Sequence, residues 1–179
     1  MKLKNFEIAS SIELQSGDLV WDLHNFADFS GLELSPRDNA ALMRWIVPSS
    51  ASNPWGCVGN RFIGMELHFH NLLFLNVSSR DQELPLSEDT CVSEILKVDP
   101  NAQNMELYLR AVLDFSQTFR LAFMFQSGRV IEIESEIVQL VPLTEVGRNS
   151  LAFLGNAMRR KKRRARRPPD CRQDAGATG

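Results

Sequence analysis

Thr118-Phe-Arg-Leu-Ala-Phe-Met-Phe-Gln-Ser-Gly-Arg-Val-Ile-Glu-Ile-Glu-Ser-Glu-Ile-Val138 decides the fold. Phe119, Leu121, Phe123 and Phe125 alternate with other residues, as do Ile131, Ile133 and Ile137 with Glu132, Glu134 and Glu136. Period-2 alternation is the mark of a half-buried strand, so the stretch reads as a hairpin. The loop length sets the register. A two-residue Ser127-Gly128 turn puts Phe123 opposite Glu132 and mixes the faces. A three-residue loop, Gln126-Ser127-Gly128, pairs Phe123 with Ile131 and Leu121 with Ile133, because residues directly opposite share a face. It also places Gly128 in the left-handed position such loops require. The outer face then sets Arg120 opposite Glu134.

Upstream, Met105, Leu107, Leu109, Ala111, Leu113 and Phe115 alternate strictly. This predicts a strand over 105–115, although Glu, Leu, Arg and Ala are good helix formers. Ser87-Glu88-Asp89-Thr90 reads as a helix start, with a Ser N-cap and acids in the first turn. Cys91, Val92, Ile95 and Leu96 supply an apolar face at helical spacing, and Asp99-Pro100-Asn101 closes it. Over Arg61–Val77, Ile63, Met65, Leu67 and Phe69 alternate with Gly64, Glu66, His68 and His70. His70-Asn71 suggests a tight turn into a second strand, Leu72–Val77. Ala40–Val47 reads as a strand, or as one helical turn running into a strand; Pro48, with no N–H to donate, ends it, and residues 48–60 form a loop. Shorter strands are expected at Phe6–Ile8 and Leu19–Leu23, with turn chemistry at Gln15-Ser16-Gly17-Asp18 between them, and Leu32–Leu34 is a short apolar piece stopped by Ser35-Pro36-Arg37-Asp38. Downstream, Val146, Ser150, Leu151, Leu154 and Met158 make a rough helical stripe over 144–158. The expected class is α+β and β-rich: a mainly antiparallel sheet, as a sandwich or partly open barrel, with one or two short helices.

The chain has 179 residues, 44% hydrophobic and 23% charged, which suits one domain. Its formal charge of −2 conceals a split. Residues 1–158 carry eleven basic and twenty acidic residues, net −9, and are expected to form one compact domain. Residues 159–179 carry nine basic and two acidic residues, net +7. This basic tail, with Pro168-Pro169 and a Gly/Ala/Asp ending, has too little apolar surface to fold alone. Three unpaired-looking cysteines, Cys57, Cys91 and Cys171, argue against a disulfide framework. Glu7, Glu13 and Asp18 interrupt any leader-type apolar core, and no run approaches a membrane span. A cytoplasmic protein is the expectation.

Three features carry candidate chemistry. His68 and His70 share one strand face with Glu66, a set that suits a transition metal, though the polar side of a half-buried strand looks the same. Trp55, in the long loop, is a candidate recognition residue. Arg159, Arg160, Lys161, Lys162, Arg163, Arg164, Arg166 and Arg167 form a run that suits phosphate, with no aromatic residue interleaved to stack on bases. Glu132, Glu134 and Glu136 line a sheet face that water alone explains. Ser49, Ser50 and Ser52 lack a nucleophile-elbow context, and no glycine-rich phosphate loop is present. No catalytic residue and no cofactor is therefore expected.

The alternating strands around Ser127-Gly128 resemble those of small bacterial proteins of unknown function, including some toxin-immunity proteins. Asp28-Phe29-Ser30-Gly31 resembles one motif of the cyclic-di-GMP-binding PilZ domain, but the arginine motif that should precede it is absent. The expected function is a non-catalytic, immunity-like interaction protein whose acidic body engages a basic protein partner. The alternatives are a nucleic-acid-associated protein acting through its tail, or a small ligand- or metal-binding barrel.

Overall fold

The structure is a computed structural model that describes residues 1–48, 62–99 and 118–144. Ten strands follow one another there: β1 (Lys2–Lys4), β2 (Glu7–Ile8), β3 (Glu13–Ser16), β4 (Leu19–Asp22), β5 (Asp28–Ser35), β6 (Ala40–Ile46), β7 (Phe62–Val77), β8 (Val92–Val98), β9 (Arg120–Phe125) and β10 (Val130–Thr144). Seven form one sheet in the order β5-β6-β7-β10-β9-β8, with β1 added parallel to β10. β2, β3 and β4 form a small second sheet. The fold is thus β-rich and mainly antiparallel, a curled half-barrel. The helix among the described residues is one 3₁₀ turn, Leu86–Asp89.

The hairpin takes the three-residue register. Phe123 pairs with Ile131 and Leu121 with Ile133. Gly128 adopts φ 76°, and its amide donates to Phe125 O at 2.9 Å. On the outer face Arg120 Nε reaches Glu134 at 3.1 Å while its guanidinium lies 3.6 Å from the Phe74 ring centroid.

β7 and β10 run the length of the sheet and bend in their middles. A register shift falls between Glu134 and Ser135, and Asn71 takes φ 55°. The expected His70-Asn71 turn is absent: the strand continues through Asn71 to Val77, and Leu73 is the extra residue of a bulge opposite Glu134 and Ser135. The buried phase of β10 changes at the same place. Ile131, Ile133 and Ser135 face the core, then Val138 and Leu140. Ile137, expected on the core face, is only half-buried and sits opposite His70.

The bend folds the β5–β6 wing over the β8–β9 wing. Trp45 lies 5.2 Å from Phe29 and 5.6 Å from Phe123, and Phe29 lies 4.9 Å from Phe125, centroid to centroid. Each ring withdrawn from water contributes about 1.5–3 kcal/mol, so this cluster joins the wings. Trp21, from the small sheet, packs edge-on against Phe62 at 5.5 Å.

The expected helix over 87–101 is the main correction. After the 3₁₀ turn the chain becomes β8. The carbonyls of Glu88, Thr90 and Cys91 accept from Ser127, Phe29 and Gln126 on other segments, not from amides further along a helix. Ser93 is an extra residue in the β8–β9 ladder, since Val92 pairs with Phe125 but Glu94 with Met124. One inserted residue turns Val92 and Ile95 to the same side, which mimics helical spacing.

β1 ends at Asn5, whose φ is 60°. Its side chain replaces the next ladder rung: Oδ1 accepts from Leu140 N at 3.2 Å and Nδ2 donates to Leu140 O at 2.9 Å. The strand candidate 105–115 and the helical candidate beyond Thr144 lie outside the described residues.

Candidate functional site

Alternation in β7 sends Met65, Leu67 and Phe69 into the core and leaves Glu66, His68 and His70 on the outer face. Neighbouring strands complete that face. Arg44 stands opposite Glu66, Leu42 opposite His68 and Ala40 opposite His70. Glu33 and Ser35 follow from β5, opposite Leu42 and Ala40. Over these residues lies a cleft of about 230 Å³, lined by Glu33, Ser35, Ala40, Leu42, His68 and His70 among others.

Glu66 is buried, only 5% exposed. A buried carboxylate needs partners, and it has them. Arg44 Nε donates to its Oε1 at 2.7 Å, and Arg44 also reaches Glu33 at 3.3 Å. His68 Nε2 stands 2.7 Å from its Oε2. A carboxylate only accepts, so His68 Nε2 is the donor. The His68 and His70 rings are 6.4 Å apart. Two of the three residues expected as metal ligands are therefore already joined to each other. A cation on Glu66 must displace the guanidinium from one oxygen and the imidazole proton from the other. Among the described residues no group of three or more His, Cys, Asp and Glu side chains is set to hold a metal.

The third histidine is elsewhere. His24 Nδ1 lies 2.9 Å from Val92 O and 3.4 Å from Cys91 Sγ. A Cys–His contact suggests a nucleophile, but the proton is misplaced for one. The Val92 carbonyl accepts, so Nδ1 carries the hydrogen and has no lone pair for the thiol. The thiol instead donates to His24 O at 3.4 Å. Burial, then the charges of Glu88, Asp28 and Asp22, push the Cys91 thiol up. In a Cys57→Ser/Cys171→Ser background, iodoacetamide will alkylate Cys91 roughly tenfold more slowly than free cysteine at pH 7.4. The rate will still be climbing at pH 9. A plateau below pH 7 would mark an activated thiolate and overturn this reading.

Two of the three glutamates in the row on β10 are covered. Arg120 contacts Glu132 at 3.9 Å and Glu134 at 3.1 Å, and those side chains are 12% and 13% exposed. Glu136 accepts from Asn71 at 2.7 Å. Arg44 and Glu33 are the site residues that sequence reasoning missed. Strand parity over Ala40–Ile46 is the signal that could have placed Arg44 on the polar side, but its partners come from β5 and β7, which only register supplies. Trp55 and Arg159–Arg167 lie outside the described residues.

The chain matches no protein-family model, no curated protein and no solved structure. Among the described residues, no helix is long and apolar enough to cross a membrane.

Proposed function

We propose that the chain is a non-catalytic binding protein, immunity-like in manner, whose acidic body engages a basic protein partner. The observation that carries this is the charge left over once internal pairing is complete. The described residues hold seventeen carboxylates against eight lysines and arginines. Arg44, Arg80, Arg120 and Arg129 are each already within 4.0 Å of a carboxylate. The surplus faces outward, where it steers a basic partner and repels an acidic one. The Cys91–His24 contact, with His24 Nδ1 turned to the Val92 carbonyl and the Cys91 thiol turned to His24 O, fits binding better than catalysis.

The run Arg159–Arg167 supports a second reading, nucleic-acid association through the tail. One experiment separates the two. Carbodiimide treatment of cells joins contacting carboxylates and lysines directly. Under the first reading, cross-links connect acids within 1–144 to lysines of a second protein, with or without residues 159–179. Cross-links that vanish on deleting 159–179, together with nuclease-sensitive retention, would sink the first reading and establish the second.

A further inference from the structure

The loop between β7 and β8 shows leucine to solvent while being tightly built. Leu86 is 73% exposed and Leu84 38%. Single exposed leucines are ordinary. These two flank Pro85 on a segment whose shape is fixed from several directions. Arg80 lies beneath it, donating to Leu84 O and, at 3.0 Å, to Pro85 O, while its Nε reaches Asp89 at 3.0 Å. Arg129, from the hairpin, reaches the other Asp89 oxygen at 2.9 Å. The hairpin tip also joins the loop through the backbone: Asp81 N donates to Ser127 O at 2.7 Å, and Ser127 N to Glu88 O at 3.3 Å. A loop fixed in advance loses little entropy when it binds, which suits it to recognition.

Its chemistry is equally specific. Leu84 and Leu86 are bracketed by Asp81, Glu83 and Glu88, while the two arginines of the region are turned inward onto Asp89 and the loop carbonyls. Apolar contact at the centre with charge around it is the layout of an interface core and rim.

The geometry points to the loop 80–89 as the surface through which this protein docks a basic partner, with Leu86 entering an apolar stripe edged by lysine or arginine. This rests on the acidic-body reading above and names the place where that reading acts.

The test uses the full chain and a labelled fourteen-residue amphipathic helix of leucine and lysine alone, followed by fluorescence anisotropy at low salt. A second peptide with serine for leucine reports charge without the apolar stripe. Leu86→Ser should weaken the leucine-lysine peptide at least tenfold and leave the serine-lysine peptide unchanged. The Glu83→Lys/Glu88→Lys pair should weaken both peptides, whereas the Glu7→Lys/Asp18→Lys pair, exposed and outside the loop, should weaken neither by more than twofold. Leu86 is exposed, so its replacement will leave the thermal midpoint unaltered, and that check separates lost binding from lost fold. If Leu86→Ser changes nothing and Glu7→Lys/Asp18→Lys acts as strongly as the loop reversals, the loop is not the surface, though the acidic reading stands. If neither peptide binds the intact chain, the acidic reading falls and this inference with it.

Discussion

Trp45→Ala will lower stability by about 4 kcal/mol, the cost of emptying a large aromatic site in a close-packed core. Trp45 is 0% exposed and touches Phe29 on its own wing and Phe123 on the other. Its removal opens a void where the two wings meet. Neither wing can close it alone, because each is set by its own strand ladder. Trp45→Phe should cost much less, about 1–2 kcal/mol. Among the described residues the indole Nε1 has no hydrogen-bond partner, so phenylalanine removes a buried donor along with the lost volume. Urea unfolding followed by circular dichroism measures both. A Trp45→Ala variant within 1 kcal/mol of the parent would mean that the wings are joined by something other than this cluster.

Gly64→Ala is expected to cost about 3 kcal/mol although it adds a single methyl group. A Cβ at Gly64 would lie 2.2 Å from Trp45 O and 3.1 Å from Ile46 Cα. Both obstacles are backbone, so no rotamer change relieves the clash. β6 and β7 must part where Trp45 pairs with Met65 and Ile46 with Gly64. That movement also carries Trp45 out of the ring cluster, so the two substitutions share one mechanism. The double variant will be less destabilised than the sum of the singles, because the second change acts on a site already opened. Strict additivity would show that Gly64 acts locally.

The hairpin was legible because its evidence is local: an unbroken alternation on each arm, and one glycine whose conformation fixes the loop length. β7 was legible up to Phe69 for the same reason. Reading failed where one residue breaks the period. The extra Ser93 in β8 made Val92 and Ile95 look helical, and Asn71 looked like a chain reversal where the strand continues. Ile137 was misplaced because the buried phase of β10 changes at the bend, which depends on how the two wings fold together. The polar site was half legible. Parity alone placed Glu66, His68 and His70 on one face. That Glu66 is buried beneath Arg44 follows only from register across β6 and β7, which a single chain does not spell out. Much of the β7–β8 loop looked like a helix start, since its ordering arginine bonds to carbonyls that have no sequence signature.

The closure of β1 onto β10 has a consequence for synthesis. Lys2, Leu3 and Lys4 find their partners at Ile137, Val138 and Gln139, and Asn5 finds its own at Leu140, 135 residues later. A ribosome adding about 5–20 residues per second leaves the first strand without its neighbour for on the order of ten seconds. The β2–β4 meander needs only nearby chain and can form while translation proceeds. The long sheet cannot be completed until β10 has emerged, so β1 waits for its partner long after it is made.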